Sequence, residues 1–489
     1  MLRRLLAALT PALAGSAVLL VALSTTPTPA PAAAVRADNP HSAQSAAAAR
    51  WLAGQLADGR LAGPFGGTDW GLTIDALIAL EAAGTEPAAA DAVADAVEAN
   101  VDSYATGGDW APDYLISGSM AKVLVAAVVA GRDPTSFGSH DMRARTLDLI
   151  RGADAGAVQG WIFDRYGDQP TQGGNLFAQS LAVLGLARSG GAPQPAVDFL
   201  VKQQCVAGGF RLNPATDGAA CTSAPVASQV QDVDTTAMAV QALLAADAAG
   251  ATGAKAAADA GIGWLLTQQK ADGSFQGSMG TDYSNTNSTG LGGQALAAAG
   301  HIAEADRAAD FVAAQQLTAA GGGAAAAHAG AIAYTPGSLA DAISGGIAEN
   351  ETDQWRRATG QAALGLAKVS LAEIGTGGTE PTPTSTATPT PTGSASPTTS
   401  PTASPSPTAT ATPTGTATPT GTATPTGTAT PSPTGPTSPA PTTWAPPPSG
   451  GGRLPTTGVD VTSIGAFGAV VMLAGAGLVV AGRRRREGA

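Results

Sequence analysis

Between residues 39 and 375 two hydrophobic patterns alternate. One places an aromatic and an aliphatic residue together and a glutamine three or four positions on: Trp51-Leu52 with Gln55, Phe199-Leu200 with Gln203 and Gln204, Trp264-Leu265 with Gln268 and Gln269, Phe311-Val312 with Gln315 and Gln316. Glycine-containing turns follow most of these, such as Gly208-Gly209-Phe210 and Asp272-Gly273-Ser274-Phe275. The other pattern sets Ala, Leu and Gly at helical spacing and predicts six helices, over Thr73–Gly84, Met120–Gly131, Gln179–Gly190, Thr236–Gly250, Thr289–Gly300 and Thr359–Val369. A helix that is small and apolar all round packs on every side, whereas the aromatic-Gln helices keep a polar face. Inner and outer helices alternating six times predict an all-α (α/α)6 toroid, with the N-termini of the inner helices around one mouth; an open solenoid is the competing arrangement. Gly at helix ends and Thr, Asp or Asn at helix starts fit caps.

The flanks follow different rules. Residues 1–37 read as a secretory signal, with Arg3 and Arg4 before the apolar run Leu13 to Leu23 and small residues around Ala32 to Ala37. Residues 376–453 form a Pro/Thr/Ser-rich stalk; from Pro381 to Gly452 it holds no charged side chain and too little apolar surface to offset backbone ordering. It repeats Thr-Ala-Thr-Pro-Thr-Gly from Thr410, Thr416 and Thr422, a composition that favours extended polyproline II. The uncharged stretch from Val461 to Gly482 is long enough to cross a bilayer, and Arg483 to Arg486 directly follow it.

Leu454-Pro455-Thr456-Thr457-Gly458 stands immediately before that stretch. The order of pentapeptide, apolar span and basic tail, over residues 454–489, resembles the sorting signal of the L-P-x-T-G surface proteins of Gram-positive bacteria. The resemblance implies sortase as a partner, cleavage after Thr457, covalent transfer of its carbonyl to a peptidoglycan amine, and a membrane stay through 461–482 that is only transient. The expected location is therefore the cell wall.

Charge and cysteine usage narrow the chemistry. A net charge of −12 with 25 Lys and Arg excludes a nucleic-acid-binding surface. Cys205 and Cys221, a pair in an oxidising compartment, predict a disulfide. His41, His140, His301 and His328 are isolated, so no metal site is expected; no G-x-S-x-G elbow or G-x-x-x-x-G-K loop occurs.

The repeats resemble those of the squalene cyclases and protein prenyltransferases, carried by Trp264-Leu265 through Phe275 and its equivalents. Asp232-Val233-Asp234-Thr235-Thr236-Ala237-Met238-Ala239 adds a local likeness to two families. It is similar to the D-x-D-D of class II terpene cyclases, which implies Asp234 as a catalytic acid, although Thr235 replaces the last carboxylate. It is also similar to the V-D-T-x-A-M-A element of the cobalamin carriers, which implies corrinoid as the one candidate cofactor; the β-rich domain that closes the carriers' site is not apparent here. The plain reading is that Asp234 or Thr235 caps an inner helix.

Asp69-Trp70, Asp109-Trp110, Asp282-Tyr283, and Asp353 with Trp355 also precede inner helices, and a closed ring brings them to one mouth with Asp232 and Asp234. Recurrent Asp serves equally as cap and recurrent Trp as packing. The expectation is a wall-displayed domain that binds a small molecule or glycan; a class II cyclase-like enzyme and a glycan-active toroid enzyme are the alternatives, the first disfavoured by an aromatic content of 4%.

Overall fold

The computed structural model describes residues 39–222, 230–278 and 283–376. Along them run α1 (Ser42–Ala53), α2 (Trp70–Ala83), α3 (Pro87–Glu98), the short α4 (Val101–Ala105), α5 (Ser117–Val129), α6 (Met142–Asp148) and α7 (Leu176–Arg188). They continue with α8 (Gln194–Lys202), α9 (Val233–Ala248), α10 (Ala254–Gln268), α11 (Thr286–Ala298), α12 (Ile302–Ala314), α13 (Pro336–Gly345) and α14 (Thr352–Ala367).

Helices α2, α5, α7, α9, α11 and α14 each pack on the next, and α14 packs back on α2, so the inner ring closes. The fold is an (α/α)6 toroid. The inner helices are apolar or small nearly all round; α9 and α11 bury almost their whole first three turns. The outer helices α1, α3, α6, α8, α10 and α12 bury one stripe, such as Ala196, Val197, Phe199 and Leu200 of α8. Short links such as 84–86 and 299–301 force each outer helix to return antiparallel, so all inner N-termini gather at one end.

All six expected inner helices are present, but they begin earlier than the hydrophobic pattern indicates: five start three residues before the expected position, and α14 starts at Thr352 instead of Thr359. In α9 and α11 the first turns are buried yet polar, holding Asp234, Thr235, Thr286, Asn287 and Ser288. A buried polar residue carries no hydrophobic signal, which is why the pattern missed these two turns.

Local chemistry explains each repeat. Asp69, Asn175, Asp232 and Asn285 cap α2, α7, α9 and α11 by accepting from the third residue of the helix. Four residues after the cap, Thr73, Thr236 and Thr289 donate to the cap carbonyl and accept the N–H of Leu61, Phe210 and Phe275. The hydroxyl thus ties each inner helix to the hairpin before it. Two of those hairpins are β5 and β6 (Phe210–Arg211, Gln231–Asp232) and β7 and β8 (Phe275–Gln276, Ser284–Asn285); an earlier four-stranded sheet holds β1 (Thr106–Gly107), β2 (Ala111–Leu115), β3 (Phe163–Tyr166) and β4 (Gln169–Gly173).

The glutamines of the aromatic pattern fasten the outer ring. Gln204 Nε2 donates to Gly208 O and to Ala257 O of α10. Gln269 repeats this with Gly273 O and Glu304 O of α12, and Gln316 with Gly330 O (3.0 Å) and Gln44 O of α1 (2.9 Å). The last pair joins the end of the repeat array to its beginning. Glycine is required in these turns: Gly330 has φ +101, and a Cβ there would lie 2.2 Å from Ala47 O.

The opposite end of the ring is closed by the segment after α14. Leu371 N donates to Gln241 Oε1 (2.8 Å), Gln294 donates to Val369 O (2.7 Å), and Arg188 donates to Leu371 O (2.7 Å). Leu371 reaches the axis itself.

Candidate functional site

At the mouth a cleft of 730 Å³ opens among the starts of α14, α2 and α5. Its walls include Phe65, Trp70, Tyr104, Trp110 and Tyr114, and its polar groups include Asp69, Asp75, Ser119 and Arg357. Phe65 and Trp110, on loops flanking the cleft, are 100% and 98% exposed. Large apolar side chains in water are unfavourable unless something covers them.

Arg357 ties two helix starts together: it donates to Asp353 Oδ2 at 2.8 Å, one turn back on α14, and to Asp69 Oδ2. Burial opposes ionisation of Asp69, but Arg357 and the Leu72 N–H outweigh it and hold the carboxyl below its ordinary value. Tyr114 is fixed from behind by Asp164, which is buried and accepts from Tyr114 Oη (3.1 Å), Gln172 Nε2 (3.2 Å), Ser117 N (2.7 Å) and Ser117 Oγ (2.6 Å). Residue 116 offers α5 no side-chain cap, and Asp164 of β3 supplies one from a distant strand.

Deeper, Lys122 of α5 meets Asp75 of α2 at 2.6 Å. Burial disfavours the ammonium, yet Asp75 more than compensates and the Lys122 pKa is raised. Asp75 and Lys122 also line an axial cavity of 40 Å³, with Leu181, Met238, Leu291, Gln361 and Leu364. Residues three or four positions apart share a helix face, so Asp75, Lys122, Asp234, Asn287 and Gln361 form a polar layer one turn nearer the mouth than the apolar belt of Ile78, Val125, Met238, Leu291 and Leu364. Asn287 donates to Gln361 Oε1 at 2.6 Å.

The aspartate pair at the start of α9 divides its roles in a way that corrects the capping expectation. Asp232, not Asp234 or Thr235, is the cap, accepting from Thr235 N and Thr235 Oγ1 at 2.8 Å and from Ser278 Oγ at 2.9 Å. Asp234 lies inside the first turn, 4% exposed, and its Oδ1 has no partner among the described residues. Burial first, and the charge of Asp232 second, push its carboxyl well above the ordinary carboxylate range, partly offset by the Ser288 hydroxyl. Thr235, standing where the cyclase motif has its third carboxylate, spends its hydroxyl on Asp232.

The remaining expected residues separate. Asp69, Trp70 and Trp110 line the cleft together; Asp353 acts on it through Arg357; Asp109 is not among the lining residues. Trp355 is buried at 4% exposure and belongs to the core, so its expected place on the rim is corrected: a helical residue two positions past Asp353 points elsewhere. Tyr283 packs edge-on to Tyr334, with ring centroids 6.1 Å apart. Asp282 lies outside the described residues, as do Leu454, Pro455, Thr456, Thr457, Gly458 and the 461–482 span. Cys205 and Cys221 are joined, with Cα atoms 4.7 Å apart, in the loop that leads to β6. Among the described residues no group of His, Cys, Asp or Glu is arranged to hold a metal, and no helix is long and apolar enough to cross a membrane. Sequence reasoning passed over Phe65, Asp75, Lys122, Asp164, Asn287, Tyr334 and Arg357, none of which stands in a recognisable motif.

Residues 446–487 match the LPXTG cell wall anchor motif. The protein is a cell wall-anchored surface protein, and the motif implies sortase processing and covalent attachment to peptidoglycan. No curated protein matches the chain. Among solved structures it is similar to an unsaturated glucuronyl hydrolase from Bacillus sp. GL1 (12% identity, TM-score 0.42, covering 66% of this chain and 95% of that one). It is also similar to a protein from Actinoplanes (17%, 0.45, 68% and 99%). A third similarity is to the ent-copalyl diphosphate synthase from Streptomyces platensis (20%, 0.38, 61% of this chain and half of that one).

Proposed function

We propose that the toroid is a ligand-binding module, displayed on the cell wall, that takes a saccharide in the mouth cleft. The observation that carries this reading is the pairing of exposed Trp110 and Phe65 with an ordered polar wall of Asp69, Arg357 and Asp75 in one 730 Å³ cleft. Sugar rings present an apolar C–H face to aromatic rings and hydroxyls to carboxylates and guanidinium groups, and pockets of this size bury one or two such rings. Thr457 is the proposed attachment residue, reached after a transient membrane stay through 461–482, with the 376–453 stalk lying between it and the module in sequence. Titration of the mature protein against an oligosaccharide panel tests the reading: Trp110→Ala and Phe65→Ala should each weaken binding by tenfold or more without lowering the melting temperature. Absence of saccharide binding, or binding indifferent to both substitutions, rejects it.

Two carboxylates in one cleft, Asp69 and Asp75, support hydrolysis of the bound glycan as a second reading. Release of reducing ends from a bound oligosaccharide, abolished by Asp75→Asn, distinguishes it from binding alone.

A further inference from the structure

Across the axis from the cleft, three buried polar atoms have no hydrogen-bond partner among the described residues: Asp234 Oδ1, Asn287 Oδ1 and Tyr334 Oη. Their residues are 4%, 1% and 3% exposed. Asp234 and Asn287 open neighbouring inner helices, and Tyr334 is fastened to the same place because Thr286 N donates to its carbonyl at 3.0 Å. Four residues further along their helices, Met238 and Leu291 line the axial cavity, so both side chains sit above it on the same faces.

The chemistry of these atoms selects a ligand group. Asn287 has committed its amide nitrogen to Gln361, which leaves its oxygen as the open acceptor. Asp234 offers a second acceptor; Tyr334 stands near it, with Tyr283 packed edge-on against Tyr334. Among the described residues no cation of the surrounding elements is bonded to the carboxyl: α11 carries no charged residue, Lys122 is held by Asp75, and Lys270, just before β7, donates to Ser284 Oγ at 2.9 Å. Arg211 of β5 is bound to Gln203 and Ala219 O, Lys202 of α8 to Ala157 O, and Lys255 of α10 to Asp259. Arg188 lies at the far end of α7 on the closing segment. Asp232, the nearest other charge, is negative and already engaged. An anion would be repelled here, and an apolar group would leave buried acceptors unmet.

We propose that Asp234, Asn287 and Tyr334 form a subsite for an ammonium group, holding the protonated amine of a ligand whose remainder points to the mouth. The axial cavity of 40 Å³ lies one turn deeper and is lined by Met238 and Leu291 rather than by these three residues, so the group is selected by the polar atoms and not by the volume of that cavity. Two acceptors satisfy two of the three N–H bonds, and the tyrosine pair adds cation–π attraction. The proposal rests on the reading that ligands enter through the mouth, and is independent of whether the cleft takes a saccharide. Because the burial of Asp234 favours its neutral form, a bound ammonium draws out a proton, and amine affinity rises with pH while the amine itself remains charged.

The test is calorimetric titration of the mature protein with n-propylammonium and, as the uncharged control, propan-1-ol. The expected result is saturable binding of the amine alone, strengthening from pH 5 to pH 8 in wild type, with about tenfold weaker and pH-independent binding in Asp234→Asn. Asn287→Ala and Tyr334→Phe, the latter preserving the ring packing, should weaken binding severalfold. Equal binding of alcohol and amine, unaltered affinity in a folded Asp234→Asn protein, or no amine binding because water alone fills the space would overturn the proposal. Loss of saccharide binding in the cleft variants with amine binding retained would reject the cleft reading and leave this one standing.

Discussion

Lys122 and Asp75 meet at 2.6 Å across the contact between α5 and α2, where the mouth cleft ends and the axial cavity begins. Lys122 is almost wholly buried, with 3% of its side chain exposed, so its charge depends on this partner.

Removing one member should therefore cost more than removing both. Asp75→Leu, which strands the ammonium, is expected to lower stability by ~3–5 kcal/mol, and the double variant Asp75→Leu/Lys122→Met should recover a large part of that loss. Denaturant melts of the three proteins check it; equal losses in the single and double variants would contradict the pairing.

Stability should also respond to alkaline pH with a defined sign. The folded pKa of Lys122 is raised, so its contribution is fully present below the unfolded value of ~10.4 and is lost as pH rises through the folded value. Tyr104 acts in the same direction, since burial raises its pKa and the unfolded phenol ionises first, from about pH 10 upward. Melting temperatures should hold steady to about pH 9.5 and then fall, with Lys122→Met showing the shallower decline.

Asp164 should couple helix capping to the cleft. It accepts four hydrogen bonds, two of them from Ser117 at the start of α5, and Asp164→Ala leaves those donors without it. A loss of ~2–3 kcal/mol is expected, together with weaker cleft binding because Tyr114 is no longer fixed. Asp164→Asn, which keeps the acceptor oxygen but brings an N–H₂ to the Tyr114 side, should be milder.

Ring closure can be tested at one glutamine. Gln316→Ala removes the two bonds that join α12 to Gly330 O and Gln44 O of α1, while Gln269→Ala removes the equivalent pair inside the array. Each should cost ~1–3 kcal/mol. Faster amide exchange around residues 44–48 in Gln316→Ala alone would show that the first and last outer helices are stapled to each other.

Anchoring is tested in cells. Replacing Leu454-Pro455 by Ala-Ala should move the protein from the wall fraction to the membrane or the medium; unchanged recovery from purified wall would exclude the pentapeptide as the signal.

Much of this protein was legible in its sequence because the signals are local. Six small-residue helices, the outer glutamines and the order of pentapeptide, apolar span and arginines each lie within a few turns of chain, where periodicity and composition act directly. The site was legible only in part. Asp69, Trp70 and Trp110 reach the cleft, but they are joined there by Arg357, 288 positions from its partner Asp69, and nothing local relates the two. Asp234 stood out in the sequence as a candidate acid or cap, but Asn287 and Asp164 carried no signal until the ring brought neighbouring elements against them. A buried polar side chain has the same letter as an exposed one; only packing between distant segments decides which are dehydrated, which are paired and which are left facing the axis. The closure of Gln316 on Gln44, across 272 positions, belongs to the same class of fact: the pattern supplied the repeats, and the tertiary structure turned them into a ring with one mouth.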